Sequence, residues 1–178
     1  MTISNLVRWS GIAAIVGGAG NILASIVSPE LGSPLEWVFI IAGVATMFAL
    51  IGIYAFQVEE SGWSGFLGFV LAMTGNAFFV GASGSIAGLD AELLGGTFYA
   101  LGLILLAVGF WRAGKLPRWV PALWILATVV GVPGFFLEGF MALSFTLGAV
   151  FFGLGFIGSG YTLWSVRAEP AGRATSAA

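Results

Sequence analysis

Long apolar runs alternate with short polar breaks along the chain. The runs cover about residues 6–27, 37–58, 63–84, 93–112, 119–137 and 140–166. Each run is close to the roughly 20 apolar residues that a helix needs to cross the hydrocarbon core of a bilayer. The pattern therefore predicts an all-α integral membrane protein with six transmembrane helices.

The breaks between the runs have the composition of turns. Residues 28–34, 59–62, 89–92 and 113–118 between them supply proline, glycine and charged side chains, which end helices and favour turns. The fifth break, at residues 133–139, offers only Pro133, Gly134, Glu138 and Gly139. The boundary between the fifth and sixth predicted helices therefore rests on few residues.

Composition agrees with a membrane location and excludes several classes of chemistry. Only 8% of the residues are charged, whereas a soluble domain carries about 25% to cover its surface. The chain has no cysteine and no histidine, so disulfides, thiolate nucleophiles and the commonest zinc and haem ligands are excluded. No metal and no cofactor are expected. With a net charge of −2 and no grouping of the cations on a soluble face, the chain is not expected to bind nucleic acid.

The charged residues predict the orientation, because cytoplasmic loops are enriched in Lys and Arg. If six helices alternate in direction, one side of the membrane receives every cation: Arg8, Arg112, Lys115, Arg118, Arg167 and Arg173. The other side receives acidic residues alone: Glu30, Glu36, Asp90, Glu92 and Glu138. We therefore expect a multi-pass protein of the cell membrane with both termini in the cytoplasm.

An internal repeat is visible in the odd-numbered helices. WSGIAAIVGGAGN, residues 9–21, recurs as WSGFLGFVLAMTGN, residues 63–76, and a weaker copy without asparagine begins at Trp119. The chain is thus predicted to contain three tandem helical hairpins, at about residues 6–58, 63–112 and 119–166, in one transmembrane domain of residues 1–168. An inverted three-plus-three repeat fits less well. Residues 169–178 are small and polar and are predicted to form a disordered cytoplasmic tail.

In its hairpin repeat, its size and its Trp-rich and Gly-rich composition, the chain resembles bacterial six-span membrane proteins associated with acid resistance. The resemblance is one of architecture and composition and includes no specific motif. It therefore implies no activity for this chain.

Glycines and tryptophans recur at positions that predict structural roles. Gly95, Gly102 and Gly109, like Gly148 and Gly155, are spaced by seven residues, and such rows let helices approach closely in lipid. Gly84 and Gly88 form a GxxxG pair at the end of the third helix. The tryptophans lie mostly near predicted helix ends, where they are typical membrane-interface anchors: Trp9, Trp37, Trp63, Trp111, Trp119, Trp124 and Trp164.

Two asparagines occupy matching places in the first two repeats. A polar group in hydrocarbon is costly unless it is paired, so Asn21 and Asn76 are expected to hydrogen-bond neighbouring helices or each other. The alternative is an amide pair that binds a ligand or solute, with Tyr54, Tyr99 and Glu138 as further polar points of a cavity.

Charged residues at the helix ends offer two further candidate surfaces. Glu36, Asp90, Glu92 and Glu138 form a predicted outer acidic rim, in which the glutamates complement the dipoles of the helices they begin; attraction of cations is the alternative role. Arg112, Lys115 and Arg118 form a predicted inner basic patch near Glu59 and Glu60, facing anionic lipid or a cytoplasmic partner.

The absence of catalytic groups decides the expected function. The Asp, Glu, Lys and Arg residues all fall at or near predicted helix ends, so proton-coupled transport and voltage sensing are disfavoured. Nucleophilic or metal-dependent hydrolysis lacks its residues, and we expect no enzyme. The sequence favours an accessory or structural membrane component that contacts lipids and oligomerises, with itself or another membrane protein, through glycine-rich helix faces. The alternative is a small permease or a binder of lipid or another hydrophobic ligand.

Overall fold

The described residues fold almost entirely into helices. The computed structural model describes residues 3–27, 36–81, 84–86, 88–135, 137 and 139–165. These residues form five α-helices: α1 (Ile3–Val27), α2 (Glu36–Gly81), α3 (Ala91–Ala113), α4 (Trp119–Gly131) and α5 (Met141–Ser165). A 3₁₀ turn, Val132–Phe135, follows α4. The predicted turn at 28–34, the carboxylate of Glu138 and the predicted tail at 169–178 lie outside the described residues.

Four of the helices, α1, α2, α3 and α5, are long and apolar enough to cross a membrane. The bounds of α1 and α3 differ from the predicted runs by three residues or fewer at each end. Helix α4 is shorter than predicted: its 13 residues span about 20 Å at 1.5 Å per residue. The all-helical class and its compatibility with a membrane location are therefore confirmed.

The second and third predicted runs lie in one helix of 46 residues that is broken at Gly62. Gly62 has φ 59° and ψ −160°, a conformation that favours glycine. The ring of Tyr54 stacks on that of Phe69 at 4.6 Å between centroids, so the halves of α2, residues 36–61 and 63–81, lie antiparallel. The predicted four-residue break at 59–62 is corrected to one residue, because Glu59 and Glu60 continue the helix.

The remaining neighbours are also antiparallel and meet at glycines. On the first half of α2, Gly52 lies against Ser10 and Thr46 against Gly17, both of α1. The second half of α2 packs on α3, where Gly109 lies against Gly65. These contacts place the start of α1, the break of α2 and the end of α3 at one end of the molecule.

Helix α5 closes the bundle. It packs on α4, where Gly148 lies against Gly131, and on α1, where Gly153 lies against Gly18. The rings of Phe110 and Trp124 connect α3 to α4 at 5.9 Å. Six helical segments therefore form a closed ring in the order α1, the two halves of α2, α3, α4 and α5. We call the end of the ring that carries Gly62 and Gly114 the terminal face, and the other end the opposite face.

The interior of the ring is filled by large apolar side chains. Trp124, Phe110, Phe156, Leu50 and Ile53 are all at most 1% exposed and belong to one core cluster. On the outside, many large apolar side chains are exposed, as expected where lipid rather than water surrounds a protein. Trp124 is thus a core residue and not an interface anchor, which corrects the sequence prediction for this tryptophan. The other six tryptophans are exposed.

A two-stranded antiparallel sheet lies in the connection before α3, where the sequence predicts only a turn. Ser85 of β1 (Ser85–Ile86) pairs with Asp90 of β2 (Leu89–Asp90). Gly84 precedes β1 and Gly88 lies in the turn between the two strands, each with φ 81°. Because both glycines lie outside the helices, the predicted GxxxG helix-packing pair at these positions is wrong.

Candidate functional site

The amide of Asn21 lies in the seam between α1 and α2. Its Nδ2 donates to the carbonyl oxygen of Gly17 at 2.8 Å and to Oγ1 of Thr46 at 3.2 Å. The Thr46 hydroxyl in turn donates to the Ala42 carbonyl oxygen at 2.8 Å. Both donors of the Asn21 amide are thus engaged, one within α1 and one across the seam.

Asn76, in the second half of α2, also donates a hydrogen bond to a neighbouring helical segment. It is 6% exposed, and its Nδ2 donates to the backbone carbonyl oxygen of Gly43 at 2.8 Å. Gly43 and Thr46 lie one helical turn apart. Both asparagines therefore bind residues 43–46 in the first half of α2. The Asn21 amide joins α1 to this half, and the Asn76 amide joins the two halves of α2.

The two candidate tyrosines lie in different surroundings. Tyr54 stacks on Phe69 between the halves of α2. Tyr99 of α3 contacts the rings of Phe79 at 5.9 Å and Phe152 at 5.4 Å, and its hydroxyl is buried without a hydrogen-bond partner among the described residues. The structure does not gather the tyrosines with the asparagines at one point.

The described members of the acidic rim all lie on the opposite face. Glu36 begins α2 and Glu92 lies in the first turn of α3, where carboxylates complement the helix dipole. Asp90 caps α3 by accepting a hydrogen bond from the backbone N–H of Leu93 at 2.9 Å. Asp90 is therefore the N-cap of α3, and the two glutamates lie in first turns, where a carboxylate complements the helix dipole.

The basic patch lies on the terminal face. Lys115 pairs with Glu60 at 2.8 Å and donates to the carbonyl oxygen of Phe56 at 3.2 Å. Arg112 and Arg118 are exposed. Lys115 therefore ties the linker between α3 and α4 to the break of α2.

Another cation on the terminal face, Arg8, joins the first and last helices. The guanidinium of Arg8 lies 4.7 Å from the ring centroid of Trp164, near the end of α5. Such a contact is a favourable cation–π interaction. It connects the first and last helices where both reach the terminal face.

Two side chains with unpartnered buried polar atoms were not among the site residues predicted from the sequence. Gln57 is fully buried, and neither its Nε2 nor its Oε1 has a hydrogen-bond partner among the described residues. The Nε1 of Trp124, also fully buried, has none either. The signal for Gln57 was its spacing, because it follows Leu50 and Ile53 on the core-facing stripe of α2.

A shallow apolar groove at the break of α2 is lined by Val58, Gly62, Trp63 and Phe66. Within the described ranges, no group of three or more acidic side chains is placed to hold a metal ion. Comparisons of the chain with protein-family models, curated proteins and solved structures find no significant match.

Proposed function

We propose that the chain is a non-enzymatic integral membrane protein whose six helical segments cross the bilayer as three tandem hairpins. The break at Gly62 divides α2 into segments of 26 and 19 residues, residues 36–61 and 63–81, on the scale of a single span. With its 3₁₀ turn, α4 reaches about 28 Å, close to the thickness of the hydrocarbon core.

The charges of the two faces support a cytoplasmic location for both termini. The described cations, Arg8, Arg112, Lys115 and Arg118, lie at or near the terminal face. The described charges near the opposite face are acidic: Glu36, Asp90 and Glu92. This distribution follows the enrichment of Lys and Arg in cytoplasmic loops.

An accessory or structural role is the function that the geometry supports best. The observation that carries this proposal is that the amides of Asn21 and Asn76 donate hydrogen bonds to Thr46 and Gly43 between helical segments. The middle of the ring holds packed core residues such as Phe156 and Trp124. Among the described residues, Asp, Glu, Lys and Arg lie at or near helix ends.

The partner surface is proposed on the outside of the ring. Gly95, Gly102 and Gly109 lie against α2, and Gly148 and Gly155 against α4, so these glycine rows hold one chain together. Self-association through them would compete with that packing. We therefore assign lipid contacts and contacts with a second copy or another membrane protein to exposed apolar side chains, among them Ile41 and Val44, 57% and 53% exposed.

A second candidate function is the binding of a hydrophobic ligand. It is favoured by the buried polar atoms of Gln57, Tyr99 and Trp124, which have no partner among the described residues. Buried polar groups in native proteins are nearly always hydrogen-bonded. A ligand in the ring interior would satisfy them.

Native mass spectrometry of the protein in mild detergent tests the structural role. We expect a defined oligomer or a stable complex with a membrane protein, which Ile41→Ser with Val44→Ser dissociates into folded protomers. The matched control Val129→Ser, at a side chain of α4 that is 61% exposed, should leave the assembly intact. A monomer that drives solute flux in reconstituted vesicles would overturn the accessory role.

A further inference from the structure

Exposed tryptophans mark the level of the terminal face. Five of the exposed indoles lie at this end of the helical segments: Trp9, Trp63, Trp111, Trp119 and Trp164. The sixth, Trp37, lies near the opposite face. Exposed indoles of this kind are typical of the interface between the hydrocarbon and the lipid head groups. The terminal ends of the helices therefore lie at head-group level if the protein spans the bilayer as proposed.

Three arginines of the terminal face lie among these indoles. Arg8, Arg112 and Arg118 each adjoin a tryptophan in the sequence, namely Trp9, Trp111 and Trp119. All three arginines are exposed, and within the described ranges none of them has a carboxylate within ion-pair distance. Their guanidinium groups are therefore available to an anion at the level of the head groups.

The three arginines follow one another around the ring. Arg112 lies in the last turn of α3, and Arg118 is the N-cap residue of α4. Arg8 of α1 lies 4.7 Å from the ring centroid of Trp164 in α5. Because α3, α4, α5 and α1 are successive neighbours in the ring, these cations follow one side of the terminal face. We call Arg8, Arg112 and Arg118 the basic arc.

The other side of the terminal face, at the break of α2, is acidic. Glu59 and Glu60 lie there, and Lys115 pairs with Glu60 at 2.8 Å. Lys115 is therefore engaged by the protein, although the sequence grouped it with Arg112 and Arg118. Glu59 is exposed and repels anions. An anionic ligand is thus attracted to the basic arc and not to the break of α2.

We propose that the basic arc binds the head groups of anionic phospholipids in preference to zwitterionic ones. A guanidinium offers several N–H donors to phosphate oxygens, and each cation near an anionic membrane surface strengthens the attraction. A lipid is favoured over a soluble anion or a cytoplasmic protein because an exposed indole adjoins each arginine and holds it at the interface. The assignment rests on the proposed membrane-spanning structure and names the lipid class that its terminal face contacts.

Lipid titration of the full chain tests the assignment. The protein is purified in mild detergent, stripped of lipid and titrated with dioleoylphosphatidylglycerol or dioleoylphosphatidylcholine, which have the same acyl chains and differ in net charge. Native mass spectra measure the bound lipid, and thermal unfolding measures the stabilisation at low and high salt. The preference is the ratio of the two affinities within one variant, so a general loss of stability does not change it.

The test variant combines Arg112→Gln with Arg118→Gln. Arg112→Lys with Arg118→Lys keeps both charges, and lysine also binds phosphate as a point charge. The matched control combines Glu36→Gln with Glu92→Gln. It changes the net charge by the same amount near the opposite face, where the described charges are acidic.

We expect the wild type to bind phosphatidylglycerol about tenfold more tightly than phosphatidylcholine at low salt. High salt should reduce this preference, because exposed charges are screened. The glutamine variant of the two arginines should lose about fivefold of the preference. The lysine variant and the Glu36/Glu92 control should keep the preference of the wild type.

Three results would overturn the proposal. They are equal affinity of the wild type for the two phospholipids, an unchanged preference in the glutamine variant of the arginines, and displacement of phosphatidylglycerol by glycerol 3-phosphate, which would assign the arc to a soluble anion. The oligomeric state is read separately from the same spectra. The lipid preference and the accessory role therefore fail independently.

Discussion

The side-chain amide of Asn76 donates a hydrogen bond of 2.8 Å to the backbone carbonyl oxygen of Gly43, 33 residues earlier in the chain. Both residues belong to α2, and in a straight helix they would lie about 50 Å apart. The contact holds the two halves of α2 together near the opposite face, far from the break at Gly62. This hydrogen bond gives Asn76, the asparagine of the second repeat, a role in folding.

Removal of this amide should loosen the halves of α2. We expect Asn76→Ala to lower the free energy of unfolding by about 0.6–2 kcal/mol, the range of interhelical hydrogen bonds in membranes. Thr74→Ala is the control, since the Thr74 hydroxyl donates only within its own helix, to the Val70 carbonyl. Equal losses for both variants in a denaturant titration would refute the interhelical role.

The glycine row of α3 should tolerate no added methyl group. A Cβ on Gly102 would lie 2.7 Å from the Cα of Ala72 and 2.9 Å from the Gly68 carbonyl oxygen, and backbone atoms cannot move aside like a side chain. Gly102→Ala is expected to destabilise the protein by about 1–3 kcal/mol through overpacking. Gly81→Ala is the matched control.

No atom of another described segment lies within 4 Å of a Cβ placed on Gly81, at the end of α2. Its substitution should leave the unfolding temperature unchanged or raise it slightly, since alanine favours the helix. If thermal unfolding shows no difference between Gly102→Ala and Gly81→Ala, the α2–α3 seam is not packed as described.

Closure of the ring predicts a cross-link between the two ends of the chain. The chain contains no cysteine, so Arg8→Cys and Trp164→Cys introduce a unique pair where Arg8 contacts Trp164. A bis-maleimide about 10 Å long should join them within one chain and change its gel mobility. The pair Glu36→Cys and Trp164→Cys lies on opposite faces and should not be joined, whereas a cross-link there would contradict the ring.

The sequence was sufficient for the helical class because apolar length and spacing are local properties. The bounds of α1 and α3 agree with the predicted runs for this reason. The short α4 was missed because the apolar run continues through Val132–Phe135, where Pro133 leaves the composition apolar but ends the regular helix. The α2 turn was predicted too long because glutamates can occupy a helix end as readily as a loop.

The interior was harder to predict, because nearly every helix face is apolar and the face that meets lipid is ambiguous. Trp124 was therefore interpreted as an interface anchor, although Gly155 leaves room for its indole in the core. The matching positions of Asn21 and Asn76 favoured equivalent roles. Their bonds differ because Asn21 contacts a side chain of α2 and Asn76 a backbone carbonyl.

Cysteine accessibility in intact cells tests the six-span topology most directly. Ser85 and Glu59 are both exposed, in β1 on the opposite face and in the turn region of α2 on the terminal face. If α2 crosses the membrane twice, Ser85→Cys reacts with an impermeant maleimide from outside, and Glu59→Cys reacts only after permeabilisation. Labelling of Glu59→Cys in intact cells, or of both sites from the same side, would contradict the proposed topology.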